Sequence, residues 1–190
     1  MKALAAVGQL TDRMEVAPDA TRAARALDDA SAAVRAYTGQ TFDRVVTTER
    51  LHMRRGSARL PQRPVHEVTA VTTLAGTAVA FTWDGADRVW LTWPAVPLAP
   101  YTPEALAGVV LATYDHGYDY PPDDIVAVVC NVAARALGSP PENSGTNTES
   151  ITNYSITLGP VGAAGAVGLF RDEQAILDRY RRTAGTVWAR

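Results

Sequence analysis

The chain has 190 residues, 47% of them hydrophobic, so it is long enough to bury a core as one domain or as one domain with an insertion and a tail. A formal net charge of −2 gives no bulk electrostatic case for nucleic-acid binding, and no stretch approaches the roughly twenty apolar residues that span a membrane. The single cysteine, Cys130, lies in an apolar run, which argues against a disulfide framework and favours a buried structural thiol in a reducing compartment.

The clearest periodic pattern predicts a helix over residues 19–38. Small and apolar side chains recur there at every third or fourth position, Asp19 can cap the first turn, and Gly39 can take the left-handed conformation that ends a helix. Because alanine lets another backbone approach closely, this stripe predicts tight packing on a second helix. The predicted buried positions are Ala20, Ala23, Ala24, Leu27, Ala30, Ala33, Val34 and Tyr37. A short helix over residues 2–7, ended by Gly8, is predicted before this one.

The next block, residues 41–114, is predicted to form about five or six short strands. Residues 41–53 are rich in β-branched side chains, and two interleaved sets of positions, from Phe42 to His52 and from Asp43 to Met53, would lie on the two faces of an extended strand. Gly56 marks a turn, and Asp84-Gly85 is typical of a hairpin. The last strand of the block is predicted over residues 106–114.

A second helix is predicted over residues 122–137. Its apolar face suits the alanine stripe of the first helix, so the two are expected to pack together. Gly138 and two prolines shortly after it end the helix. Residues 139–150 are polar and lack an apolar anchor, which predicts a flexible linker.

The C-terminal part is predicted to contain a strand over residues 151–158, a glycine-rich hinge over residues 159–168 and a helix over residues 171–182. Together the elements predict an α+β fold in which a small helical core carries an inserted β-rich block and a C-terminal strand-plus-helix tail. The predicted organisation is a main domain over residues 1–138, the linker, and a C-terminal segment over residues 151–190.

Residues that carry chemistry are scattered. The three histidines are His52, His66 and His116, and none has a metal-ligand neighbour at helical or loop spacing. Four aspartates crowd one loop and helix start, but a calcium loop also needs a closing bidentate glutamate. They are Asp115, Asp119, Asp123 and Asp124, and the last two suit the positive end of a helix. With no Ser-His-Asp order or nucleophile elbow, the sequence predicts no enzyme, no metal site and no cofactor.

Charge is distributed unevenly in and after the β-rich block. Residues 44–63 contain six arginines against the single acid Glu49, whereas residues 104–124 contain five acids and no lysine or arginine. A solvated surface is one interpretation, and DNA binding by the basic arm is another, although no aromatic interleaving supports a single-strand platform. A third is a head-to-tail contact between copies, of the type that closes rings. The residues of that contact would be Arg54, Arg55, Arg59, Asp115 and Asp119.

The order of three segments carries a family resemblance. They are LPQRPVHEV at residues 60–68, the stretch at residues 114–137, and AILDRYRR at residues 175–182. In this order they resemble the head-to-tail connector (adaptor) proteins of long-tailed bacteriophages, the family related to the HK97-type connector, and most of all the versions from actinobacterial phages and prophages. The likeness runs from about residue 2 to residue 182. The glycine-rich residues 159–168 depart from the pattern and leave the path of the tail open.

This resemblance implies a structural virion protein that forms a dodecameric ring beneath the portal. The ring would extend the DNA channel and carry the stopper or tail terminator, with genomic DNA passing through without sequence-specific binding and with no membrane involved. The protein would be assembled in the host cytoplasm and reside in the virion neck.

In relatives the C-terminal segment docks on the portal, which here corresponds to residues 150–182. The residues implied are Arg171, Ile176, Leu177, Arg179, Tyr180, Arg181 and Arg182. The alternative is that this helix packs on its own domain. Two other functions remain open: another neck protein, such as a stopper or tail-completion protein, and a small-molecule-binding enzyme domain. The two helices that frame the β-rich block argue against another neck protein. The lack of a recognisable set of catalytic or ligand-binding polar residues argues against an enzyme domain.

Overall fold

The computed structural model describes residues 2–54, 56–92, 108–138, 148–151, 154–157 and 168–182. Its helices are α1 (Val7–Thr11), α2 (Ala20–Thr38), α3 (Asp123–Gly138) and α4 (Arg171–Leu177), which continues as a 3-10 turn at Asp178–Tyr180. Its strands are β1 (Val45–His52), β2 (Ser57–Arg59), β3 (Val65–Thr73), β4 (Phe81–Trp83), β5 (Arg88–Leu91), β6 (Val109–His116), β7 (Thr148–Ile151) and β8 (Tyr154–Thr157). Helices and antiparallel sheets occur together, which confirms the predicted α+β class.

The chain divides into two compact units. Met1–Thr38 and Pro121–Arg181 form the first, which we call the helical unit. Gly39–Tyr120 forms the second, the β unit, to which Arg182 also belongs.

Helix α2 packs along α3 in the helical unit, as the two apolar stripes predicted. The predicted ends of α2 are confirmed, because Asp19 Oδ1 accepts a hydrogen bond from the Arg22 N–H at 3.0 Å and Gly39 has φ +69°. The predicted buried face is partly wrong. Ala20 and Ala24 are exposed, whereas four other positions are buried: Ala26, Ser31, Arg35 and Thr38.

Contacts with the N-terminal segment explain why the buried face of α2 includes residues that the prediction left out. The Ser31 hydroxyl accepts a hydrogen bond from the Leu4 N–H at 2.9 Å, and Arg35 Nη2 donates to the Lys2 carbonyl at 2.8 Å. The N-terminal segment therefore covers Ser31 and Arg35, and Leu4 itself is buried. The short helix predicted over residues 2–7 is wrong in position, because α1 begins only at Val7, where the Gln9 side chain accepts the Ala6 N–H at 2.8 Å.

The C-terminal elements differ from the prediction at their boundaries. Instead of one strand over residues 151–158, β7 and β8 form an antiparallel hairpin in which Thr148 pairs with Thr157. Strand β7 begins inside the segment predicted as a linker, since Thr148–Ile151 finds a partner strand nearby in sequence. The rest of that segment, residues 139–147, and most of the glycine-rich segment, residues 158–167, lie outside the described residues.

The described residues of the β unit form six strands, which agrees with the predicted five or six. The first sheet has the order β1-β6-β3 and the second has the order β2-β5-β4, with all neighbours antiparallel. Strand β1 begins at Val45 and not at residue 41, because Phe42 is buried at φ +64° and interrupts the extended chain. Strand β6 runs to His116, two residues beyond the predicted end.

Both sheets contribute to one apolar core. Its buried members are Leu51, Ala58, Leu60, Val68, Val71, Val89, Val110, Ala112 and Tyr114. Two buried glutamine side chains connect the segment before β1 to the segment before β3. These two segments are not paired with each other as strands. Gln40 Nε2 donates to the Pro61 carbonyl at 2.9 Å, and Gln62 Nε2 donates to the Gly39 carbonyl at 3.0 Å. Their side-chain oxygens accept the N–H groups of Arg63 and Thr41. Amide side chains therefore satisfy buried backbone groups there.

Candidate interaction surfaces

The described residues offer no site for metal-dependent chemistry. No group of three or more His, Cys, Asp or Glu side chains among them could hold a metal ion. His116 is buried with Nε2 at 2.9 Å from the Thr47 hydroxyl, and His66 Nε2 lies 2.7 Å from the Gly117 carbonyl oxygen. His52 is exposed on β1. Within the described ranges, no helix is long and apolar enough to cross a membrane.

Cys130 is buried, as predicted. Its sulfur lies 3.7 Å from Arg13 Nη1, and burial raises the pKa of the thiol above its ordinary value. A raised pKa lowers the thiolate fraction, which fits a structural cysteine.

The predicted portal-docking residues lie on α4 and the turn that follows it. Leu177 is fully buried in the helical unit, Ile176 and Tyr180 are half-buried, and Arg171 is exposed. The Tyr180 hydroxyl donates to Asp124 at 2.9 Å, and Arg179 Nη2 forms an ion pair with Asp124 at 2.8 Å. Asp124 therefore holds the end of α4 at the N-terminus of α3.

A second polar contact joins the start of α4 to α3. Arg135 donates to both carboxylate oxygens of Glu173, at 2.6 and 2.9 Å, and its guanidinium lies 3.8 Å from the centroid of the Phe170 ring. Glu173 Oε2 also accepts the Phe170 N–H at 2.8 Å, so it caps α4 while it binds Arg135. Because Glu173 is buried, loss of these partners would leave its carboxyl group without hydrogen bonds in the interior.

A third contact joins the end of α4 to α2. The Tyr37 hydroxyl donates to Asp178 Oδ1 at 2.8 Å, and this hydrogen bond raises the pKa of Tyr37. The guanidinium of Arg181 lies 5.1 Å from the centroid of the Tyr37 ring. In the β unit, Arg182 Nη2 forms an ion pair with Glu49 at 2.7 Å. Six of the seven predicted docking residues thus contact or pack against their own chain, and portal docking stays a prediction.

Three of the five residues predicted for a contact between copies form ion pairs within their own chain. Asp115 binds Arg44 at 2.9 Å and Asp119 binds it at 3.1 Å. The Arg44 hydrogen bond lowers the pKa of Asp115, and both aspartates raise the pKa of Arg44. Arg59 Nε binds Asp87 at 2.6 Å. Arg54 is exposed and exchanges backbone hydrogen bonds with Ser57, and Arg55 lies outside the described residues.

Sequence reasoning missed two exposed apolar side chains with charged surroundings. Trp90 is exposed on β5, on the same side of the strand as Arg88. The alternation Arg88-Val89-Trp90 could have indicated this, since alternate residues of a strand share a face. Val16 is exposed in the loop between α1 and α2, where no periodic signal could have singled it out.

Comparisons with known proteins show a fold relationship. No protein-family model and no curated protein matches the chain. The chain is similar to a chain in the neck of a native gene transfer agent (GTA) particle computed with C12 symmetry, with a TM-score of 0.53. It is also similar to chains in the virion of a native GTA particle, with a TM-score of 0.56, and in the neck of an empty GTA particle computed with C6 symmetry, with a TM-score of 0.54. Identity is 18% in each case, and the matches cover 95% of this chain and 90–91% of the other. The chain therefore shares its fold with chains of the GTA virion and neck.

Proposed function

We propose that the protein is a structural neck component of a phage-like particle: a head-to-tail adaptor that forms a ring between the portal and the stopper or tail terminator. The observation that carries this proposal is the fold similarity to GTA neck structures over 95% of the chain, with symmetric neck assemblies among the matches. The sequence resemblance to phage adaptors points to the same place independently of the fold.

Surface chemistry supports a structural role. Among the described residues, no group of three or more His, Cys, Asp or Glu side chains could hold a metal ion, and a structural role requires none. A ring around DNA must let the duplex pass, and strong phosphate binding by many basic residues would hinder passage. A net charge of −2 is consistent with that requirement.

Helix α4 would take part in portal docking through its outer side. Arg171 is exposed and Ile176 is half-buried, so both can meet a partner while Leu177 remains in the core. We place the protein in the virion neck after assembly in the host cytoplasm. It needs no cofactor and no catalytic group for this function.

Co-expression with the portal protein encoded in the same phage or prophage genome tests the proposal. We expect the tagged chain and the portal to co-purify as one large complex, visible as a ring by electron microscopy. Arg171→Glu combined with Ile176→Ser should weaken recovery of the portal, whereas Arg22→Glu on the exposed side of α2 should not. A chain that never associates with the portal would contradict the proposal.

A further inference from the structure

The outer face of the second sheet, β2-β5-β4, carries arginines around an exposed tryptophan. On β5, Arg88 and Trp90 point outwards while Val89 between them is buried in the core. The register places Ser57 and Thr82 beside Trp90, and Arg59 beside Arg88. Arg54 forms a β-bridge with Ser57 and therefore shares that face. We call this set the Trp90 face; it comprises Arg54, Ser57, Arg59, Thr82, Arg88 and Trp90.

The arginines of the Trp90 face are only partly neutralised. Arg59 is paired with Asp87. Within the described part of the chain, no carboxylate lies within ion-pair distance of Arg54 or Arg88, although Asp84 accepts the Arg88 backbone N–H at 3.1 Å and lies near enough for the Arg88 charge to help lower its pKa. Trp90 is 44% exposed, which is high for the largest apolar side chain. Tryptophan and arginine are the residue types most enriched at energetic hot spots of protein interfaces.

The loop between α1 and α2 presents the complementary chemistry. In this segment, residues 12–19, which we call the Val16 loop, Val16 is 78% exposed and the carboxylates of Asp12, Glu15 and Asp19 surround it in sequence. The loop is anchored, because Arg13 Nη1 donates to the Gln9 carbonyl at 2.6 Å and Asp19 caps α2. An exposed apolar side chain thus lies between acidic residues along the sequence of an anchored loop.

We propose that the Val16 loop of one copy binds the Trp90 face of the next copy. Val16 would pack on the Trp90 ring, and the carboxylates of the loop would pair with Arg54 and Arg88. The assignment rests on the proposed function, which makes a second copy of this chain the expected partner. Two different surfaces that complement each other form a head-to-tail contact, and such contacts close rings.

The acidic residues of the Val16 loop are better placed for this role than the aspartates before α3. Asp115 and Asp119 already form ion pairs with Arg44 of their own chain. An arginine of a second copy would therefore gain less interaction energy from them. Within the described ranges, no arginine lies within ion-pair distance of Asp12 or Glu15. Charge pairs between the two surfaces would also steer the encounter, which predicts weaker association at high salt.

A charge swap tests the pairing. Sedimentation velocity of the full chain at low salt should show concentration-dependent self-association, which Arg88→Glu or Glu15→Arg alone weakens by about tenfold. The double variant should recover to within about threefold of the unaltered chain, because the pair is restored with its charges exchanged. Arg50→Glu, on an exposed position of β1, is the matched control and should change association by less than about twofold.

Disulfide trapping tests the apolar contact and detects weak association. A mixture of the Val16→Cys and Trp90→Cys variants at high concentration, under mild oxidation, should give a heterodimer on a non-reducing gel. The control mixture replaces Trp90→Cys with Leu74→Cys, at another exposed apolar position, and should give much less. Cys130 is buried and common to every sample, so it contributes equally.

Four outcomes would overturn the proposal. Three of them are a chain that stays monomeric and gives no trapped dimer, a double variant that is not rescued, and Trp90→Ala that associates as well as Leu74→Ala. A fourth is that Arg88→Glu weakens binding to a duplex DNA fragment but not self-association, which would assign the Trp90 face to nucleic acid. Portal co-purification can persist in each case, so failure here is distinguishable from failure of the adaptor function.

Discussion

The helical unit and the β unit are stabilised in different ways. In the helical unit the interior is mainly apolar, with side chains such as Leu177 and Ala30, and the buried carboxylate of Glu173 joins α4 to an arginine of α3. In the β unit, hydrogen-bonding side chains such as Gln62 and Tyr114 lie inside, among the apolar residues. The helical unit should therefore respond most to lost volume and then to loss of the contact at Glu173, whereas the β unit should respond to lost internal hydrogen bonds and to pH.

This difference has a functional side. In the helical unit, α4 has exposed residues beside its buried ones, so its outer surface can bind a partner while its inner surface packs on the unit. A unit with polar groups inside has a strictly specified register, because each buried group must find its partner. In the second sheet, the register places Ser57 beside Trp90 and Arg59 beside Arg88, on the face that the proposed contact with the next copy needs.

The largest expected effect comes from removing packing in the helical unit. Leu177→Ala should lower the free energy of unfolding by about 2–5 kcal/mol, because it empties a fully buried site. Chemical denaturation followed by circular dichroism measures it. Ile176→Ala, at the half-buried neighbour, is the control and should cost less than half as much. Equal effects, or none, would mean that α4 does not pack on its own unit in solution, and would favour a segment that folds only on the portal.

A smaller effect is expected from breaking the Arg135–Glu173 contact. Arg135→Met should cost about 1–3 kcal/mol, because the buried Glu173 carboxylate loses its charged partner. The double variant Arg135→Met, Glu173→Gln should recover much of the loss in the same denaturation experiment, since no charge remains buried. Arg179→Met breaks an ion pair whose arginine is 66% exposed, and it should cost less than about 1 kcal/mol. If Arg179→Met lowers the free energy of unfolding as much as Arg135→Met does, the burial of Glu173 does not determine how much its ion pair contributes to stability.

Periodic elements were predictable because their signals are local. Helix α2 could be located from the spacing of its alanines, from Asp19 and from Gly39, since these act within a few residues of one another. Its buried face could not be fixed, because Ser31 and Arg35 are covered by an N-terminal segment that shows no periodic pattern. Local periodicity shows that a helix has a buried side, and tertiary contacts decide how wide that side is.

Contacts between distant residues were beyond sequence reasoning. Arg135 and Glu173 are 38 residues apart, and nothing in either segment indicates the other. Gln62 lies in the LPQRPVHEV motif that carried the family resemblance, yet the motif alone does not show that its side chain binds the backbone at Gly39. The Trp90 face needed both the strand alternation and the pairing of three strands, of which the sequence supplied only the first.

A moderate effect is expected from removing the Tyr114 hydroxyl inside the β unit. Tyr114→Phe should cost about 1–2 kcal/mol of unfolding free energy, because the hydroxyl of this fully buried ring donates to Glu49 and accepts the Gln62 N–H at 3.4 Å. The loss is limited, since Glu49 keeps its ion pair with Arg182. Thermal and chemical denaturation measure it, with Tyr120→Phe as control, because Tyr120 is 85% exposed and should be neutral. A neutral Tyr114→Phe would contradict the view that this unit depends on internal polar contacts.

The smallest expected effect is a pH dependence that arises from His116. Burial lowers the pKa of His116 below its ordinary value of 6.5, against the opposing influence of Glu49 and Asp115 and together with Arg182 and His66. The folded chain therefore binds fewer protons than the unfolded chain at mildly acid pH, so stability is complete above pH 6.5 and falls as the pH drops through 6.5 towards the lowered value.

His116→Gln should remove this component, and the measurement is the unfolding free energy of both chains at pH 7.5 and 5.5. The carboxyl of Asp115, whose pKa is lowered from 3.8 by Arg44, contributes only at still lower pH and does not obscure the comparison. His52→Gln, at an exposed histidine on β1, keeps the histidine count of the control equal to that of the test variant. If both variants keep the slope of the unaltered chain, the pH response of the β unit does not come from its buried imidazole. The internal polar groups would then set the register of the unit without making it sensitive to acid.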